Sequence, residues 1–211
     1  MPDVLLHLRS DARDNRDRIL EVAREVFAAD GLDVPMREIA RRAEVGPATL
    51  YRHFPTKENL VTVAFQQQMR ACTTIVDEGL ADPDPWRGFR TVIERVCELH
   101  ALDRGFTAAF ISAFPKAIDF AGAREDQLAK LATLSSRAIR AGTLRPDFVM
   151  DDLYLLIMAN SGIRGTTPAA TLAAARRFAA LMIQSFRVQP LTVPLPPAAR
   201  LGLTRHQSSS R

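Results

Sequence analysis

Pro47 to His53 of this 211-residue chain reads Pro-Ala-Thr-Leu-Tyr-Arg-His, with small side chains first and hydrogen-bonding ones after. That order suits a helix whose N-terminal end meets base edges in the major groove of DNA, where bulk is unwelcome at the point of entry. Pro47 and Ala48 leave room, Thr49 and Arg52 can hydrogen-bond to base edges, and Arg52 has the fork geometry that pairs with guanine. Tyr51, His53 and Lys57 are placed to hold phosphates, and Arg37 adds positive charge nearby. Other chemistry has no comparable footing. No Ser/His/Asp arrangement, no phosphate-binding glycine loop and no metal-ligand spacing among His7, His53, His100 and His206 occurs. Asp151 and Asp152 suit a helix start rather than an acid/base pair. Neither an enzyme nor a metal or cofactor is expected.

The elements that must position these side chains follow from periodicity. Met36, Ile39, Ala40 and Ala43 recur at helical spacing behind Pro35, which suits a first helical position, and Glu38 favours the helix dipole. Gly46-Pro47 interrupts that helix and starts a second, short one with Leu50 and Phe54 as its apolar pair. Pro55 ends it, and Thr56 can cap the next helix. A longer helix from about Asn15 carries Ile19, Leu20, Ala23, Val26 and Phe27 and stops at Gly31. The three helices would share a core of Ile19, Ala23, Phe27, Met36, Ile39, Ala43, Leu50 and Phe54. Spacing alone also describes an ordinary αα-hairpin.

Net charge is weak evidence for a nucleic-acid partner. The whole chain carries +4, yet residues 1–60 hold ten Arg/Lys against eleven Asp/Glu, a net −1. Local charge decides phosphate attraction: Arg9, Arg13, Arg16 and Arg18 form a basic arm diluted by aspartates, and Arg37, Arg41, Arg42, Arg52 and Lys57 outnumber Glu38, Glu44 and Glu58 around the motif. A solvated helix face with pairs such as Asp14/Arg18 explains the arm equally well.

At Val45 to Leu60 the sequence resembles the recognition-helix signature of the TetR family of bacterial one-component regulators. Val45, Thr49, Leu50, Tyr51, His53, Phe54, Lys57 and Leu60 match its pattern in register. Gly46 departs from the usual Ser or Thr N-cap, and Val34 from the usual capping Thr that also touches a phosphate. The resemblance implies an N-terminal helix-turn-helix domain, a small-molecule effector held between the middle helices, and a two-fold dimer built by the last two helices.

Beyond Thr56 the chain reads as helix after helix. One long helix from Lys57 to about Leu80, free of Pro and of Gly until Gly79, is expected to link the reader to the rest and to act as the switch. Stripes through Trp86, Phe89, Ile93, Val96 and His100, then Phe106 to Phe114, then Ile118 to Ile139 come after it. Most such aromatics are core, but Phe65, Met69, Trp86, Phe89, Ile93, Val96, His100, Phe110, Phe114 and Leu131 are also the candidates to line an apolar effector site, with His100 its polar handle. The last two helices are expected at Asp147 to Arg164, capped by Asp147, and at Pro168 to Arg187. Their stripes supply the candidate dimer residues Leu153, Leu156, Ile157, Asn160, Ala175, Phe178, Ala179 and Met182, although the same pattern fits an internal core.

The expected fold is all-α with about nine helices: a helix-turn-helix domain over 1–58, an effector-binding and dimerisation domain over 59–187, and a Pro/Ser-rich tail over 188–211. The expected function is a homodimeric DNA-binding transcriptional regulator, a repressor released from a palindromic double-stranded operator by a small, largely apolar effector. An activator, or an interaction protein of the same fold, is the alternative. Cys72 and Cys97 form no CxxC pair and suit a reducing cytoplasm. No segment resembles a signal peptide or a membrane span.

Overall fold

The computed structural model describes residues 3–103, 105–107, 121–188 and 195–197, with side chains from residue 14 to 103, 105–107, 125–188 and 195–197. Among these residues the regular structure is helical: α1 Asp3–Asp30, α2 Met36–Arg42, α3 Pro47–His53, α4 Lys57–Ala64, α5 Gln66–Ala81, α6 Pro85–Leu102, α7 Ala121–Arg140, α8 Met150–Ser161 and α9 Pro168–Phe186. An isolated antiparallel bridge joins Leu144 to Arg187. No helix among the described residues is long and apolar enough to cross a membrane. The expected helix through Phe110 and Phe114, the side chains of Arg9 and Arg13, and the tail beyond residue 197 lie outside the described residues.

The chain clusters into two compact units, Met1–Met69 with Asp103–Phe120, and Arg70–Leu102 with Ala121–Arg211. In the first, α1 packs against α2, α3 and α4, and α2 against α3. All eight residues expected in its core are buried, and Ile19, Ala23, Phe27, Ile39, Leu50 and Phe54 have no exposure at all. Gly31, at φ 79°, stops α1 in a conformation that an L side chain resists. Helix α1 begins at Asp3 rather than near Asn15, so the arm's backbone is helical.

In the second unit α6 is the centre, packed against α7, α8 and α9. Asp84 starts it by accepting from Trp86 and Arg87 N–H at 3.0 and 3.2 Å. Glycine meets glycine where α5 turns into α6: a Cβ on Gly88 would stand 2.2 Å from the Gly79 carbonyl oxygen. Arg137 closes α5 by donating to the carbonyls of Leu80 and Asp82. Phe89, Phe148 and Phe186 form an edge-to-face cluster with centroids 5.3 to 6.3 Å apart. Cys72 and Cys97 are free and buried, and burial raises both thiols to about 12, so neither is a ready thiolate.

Two further expected helix bounds change. The single helix from Lys57 to Leu80 is interrupted at Phe65, whose φ and ψ are −110° and 12°. Its ring is fully buried between Phe27 and Phe106, with centroids 6.1 Å from each, and Arg24 Nε donates to the Ala64 carbonyl at 2.8 Å. Burial of that ring and diversion of that carbonyl break a run that contains no Pro, and no Gly before Gly79. Asp147 does not cap α8, because Arg145 holds both its oxygens, at 2.5 and 2.7 Å. Val149 is the N-cap instead, and Asp152 accepts from its N–H at 3.0 Å.

Candidate nucleic-acid interface

Helices α2 and α3 owe their relation to a four-residue turn, Ala43 to Gly46. Ala43 N–H donates to Ile39 O at 2.9 Å and Val45 N–H to Ala40 O at 3.0 Å, which closes α2. Glu44 sits in the left-handed region at φ 53°, where a side chain is disfavoured. Gly46 is the N-cap of α3 with an extended backbone and, lacking a side chain, makes no cap hydrogen bond; Pro47 is the first helical residue after it. Pro35 is likewise the N-cap of α2 rather than its first residue, again without a side-chain bond. Thr56, by contrast, caps α4 as expected, its Oγ1 accepting from Asn59 N–H at 3.1 Å.

Helix α3 has two faces. Leu50 points inward with no exposure, and Phe54, its C-cap, is equally buried. On the other side Pro47, Ala48, Tyr51 and Arg52 are exposed, Tyr51 by 50%, and Thr49 and His53 are half-buried. Lys57, half-buried, opens α4 one turn beyond, and Arg37 is exposed on α2. The structure thus brings the expected DNA-facing residues of α3 to one surface, with the first turn of the helix unobstructed by its own side chains.

Ion pairing revises the local charge count. Glu38 accepts from Arg41 at 2.7 and 2.9 Å and from Arg42 Nε at 2.8 Å, while Arg42 also reaches Asp30 at 2.7 Å. The Arg41 and Arg42 bonds hold the Glu38 carboxyl down at about 2. Those two arginines are therefore paired with two carboxylates, whereas Arg37 and Arg52 are exposed and Lys57 is half-buried. The sequence carried this signal, since Glu38 stands three and four residues before Arg41 and Arg42. Arg16, from α1, lies over the Phe54 ring at 5.5 Å. Partial burial, and then the charges of Arg52 and Arg16, push the His53 imidazole below its ordinary range, and its Nε2 is enclosed without a hydrogen-bond partner among the described residues.

The other candidate sites are distributed differently. Phe65 and Met69 belong to the first unit, and Trp86, Phe89, Ile93, Val96, His100 and Leu131 to the second. Phe65 packs against the Phe27 and Phe106 rings, and Phe89 belongs to the aromatic cluster at the end of α9. His100 is 2% exposed, and burial lowers it to about 4, which makes it a neutral imidazole. Leu153, Leu156, Ile157, Asn160, Ala175 and Ala179 are buried within the single chain, where Asn160 Nδ2 donates to the Cys97 carbonyl at 2.9 Å. Their stripe is the side that α8 and α9 turn to their own unit, so it is not a free face. Phe178 and Met182 are half-buried at its margin. The large exposed apolar residues of these helices are Leu155, Met158 and Leu181, at 45, 41 and 52%.

Known proteins match this arrangement. A family model described as "Bacterial regulatory proteins, tetR family" matches residues 19–64. Over 63 residues the chain is 38% identical to an HTH-type transcriptional regulator of Staphylococcus aureus (strain USA300), a match covering 29% of this chain and 34% of that protein. The chain thus spans about a third of the length of the curated relatives it matches. A TetR transcription regulatory protein from Mycobacterium vanbaalenii is 34% identical, with 86% of this chain and 99% of that one covered; the TM-score is 0.46, and the relation lies in the aligned residues. The ketosteroid transcriptional regulator KstR2 of Mycobacterium tuberculosis is 18% identical over 82% of this chain and 95% of its own, with a TM-score of 0.64, and shares the fold. A helix-turn-helix segment matched by the family model and 34% identity along nearly the whole of a relative place the conclusion beyond the motif: the chain belongs to the TetR family of bacterial regulatory proteins.

Proposed function

We propose that the chain is a DNA-binding transcriptional repressor that acts as a homodimer on a palindromic operator and is released by a small, largely apolar effector. The observation that carries the reading is the exposed face of α3, with Pro47, Ala48, Thr49, Tyr51 and Arg52 outward while Leu50 and Phe54 anchor it. Thr49 and Arg52 read bases, and Tyr51, His53, Lys57 and Arg37 hold phosphates. One seven-residue helix reads too little sequence alone, so two copies bind successive major grooves. Leu155, Met158 and Leu181 give the second copy its apolar surface. The effector is held in the second unit near Ile93, Val96, His100 and Leu131, where the neutral imidazole supplies the polar handle.

Selection of bound duplexes from a random library, followed by footprinting, tests the reading. Enrichment of a palindrome with two protected half-sites is expected; no enrichment over a shuffled library would refute it. Sedimentation velocity tests the dimer: the wild type should run as a dimer and Leu181→Glu as a monomer. A monomeric wild type would remove that part of the proposal.

A further inference from the structure

Asn160, 2% exposed in the last turn of α8, reaches across to α6, where its Nδ2 donates to the Cys97 carbonyl at 2.9 Å. That bond fixes which way the amide faces, because a carbonyl can only accept. The Oδ1 on the other side is enclosed and has no hydrogen-bond partner among the described residues. A buried oxygen left in that condition is costly, and a core that keeps one calls for a group to meet it. Helix α6 does not need Asn160 for its own sake: Cys97 stands inside the helix, where its carbonyl has a second lone pair for the helical ladder. A leucine of similar volume would fill the place without stranding an acceptor.

His100 lies one turn beyond Cys97 on α6, is 2% exposed, and is lowered by burial to about 4. Around one turn of α6, then, lie two buried polar groups, and both are uncharged. The ionised groups of the two helices are engaged elsewhere. On α6 Arg87 pairs with Asp82, Arg90 with Glu94, Arg95 with Glu78 and Glu98 with Arg176. On α8 Asp151 and Asp152 belong to the first turn, at the opposite end from Asn160. A carboxylate entering here would face the lone pairs of Asn160, and an ion of either sign would find no unpaired counter-charge on this stretch of α6 or α8.

We propose that the effector carries an uncharged hydrogen-bond donor, a hydroxyl or an amide N–H on an apolar frame, and that Asn160 Oδ1 is the acceptor that selects it. The ligand class is then alcohols, phenols and amides, to the exclusion of carboxylates and amines. An ether of the same shape is also rejected, because it leaves Oδ1 unmet. The proposal rests on the reading of the second unit as effector-binding.

The test uses the full chain and three apolar frames, octyl, cyclohexylmethyl and benzyl, each presented as an alcohol, a methyl ether, a carboxylate and an ammonium. Isothermal titration gives the dissociation constants, and amide exchange over residues 93–102 and 153–161 locates the binding. On the frame that fits best, the alcohol should bind about tenfold tighter than its methyl ether and about a hundredfold tighter than the carboxylate or the ammonium. It should slow exchange in both segments. Asn160→Leu should stay folded, keep the affinity for the ether and lose the advantage of the alcohol; if that variant does not fold, the comparison within the wild type decides. An ether or an ion that binds as tightly as the alcohol while slowing exchange in both segments would leave the effector reading standing and overturn the proposal. Alcohol binding that leaves 153–161 unprotected would overturn it as well. Failure of every compound to bind would refute the effector-binding reading, and the ligand class would fall with it.

Discussion

Two neighbouring helix starts, Gly46 of α3 and Thr56 of α4, are built on opposite plans. Thr56 satisfies the first turn of α4 with its own hydroxyl, whereas Gly46 gives α3 no side-chain partner and lies two residues beyond Glu44, which is in a disfavoured conformation. Helix α4 is locally encoded. Helix α3 leans on tertiary packing through Leu50 and Phe54, and in its first turn Pro47 has no N–H while Thr49 and Leu50 N–H donate to the Gly46 carbonyl at 2.9 and 3.1 Å. Of the two, α3 is the helix whose start is less stabilised by its own side chains.

The contrast can be broken most severely at its anchor. Leu50→Ala should cost about 2–5 kcal/mol and unfold the α2–α3 pair, because the side chain is fully buried; urea unfolding followed by circular dichroism measures it. Thr56→Ala should cost about 1 kcal/mol by losing the cap, and the same titration resolves it. Glu44→Gly should instead stabilise by up to about 1 kcal/mol, since left-handed strain exceeds the extra chain entropy of glycine; thermal unfolding gives the sign. Gly46→Ser, with nothing within 4 Å of the new Cβ, should gain a few tenths of a kcal/mol by supplying the missing cap. A loss there would mean that α3 is already optimal, which would erase the difference between the two helix starts.

Much of the first unit was legible because proline and glycine mark its boundaries. Pro47, Pro55, Gly31 and Thr56 stand where the helices begin and end, and the eight core residues follow from periodicity. The break at Phe65 was not legible: its cause is a ring buried against Phe27 and Phe106, partners 38 and 41 residues away, and nothing local announces it. Periodicity located the stripes of α8 and α9 but could not tell a face turned to its own chain from one left exposed. Leu153 and Ala175 proved to be the former, and Leu155 and Leu181 the latter. The pairing of Arg41 and Arg42 with Glu38 lay in plain spacing, while the second counter-charge, Asp30 on Arg42, comes from the packing of α1 on α2.

The central claim, that α3 reads bases while its flanks hold phosphates, is tested most directly by comparing Arg52→Ala with Lys57→Ala on a selected duplex and its single-base variants at several salt concentrations. Arg52→Ala should cost about 1–3 kcal/mol and relax preference at one position of each half-site. Lys57→Ala should weaken all sequences alike and reduce the salt slope by roughly one for each phosphate no longer neutralised. Equal losses at every base for Arg52→Ala, or a loss confined to one base for Lys57→Ala, would contradict the assignment.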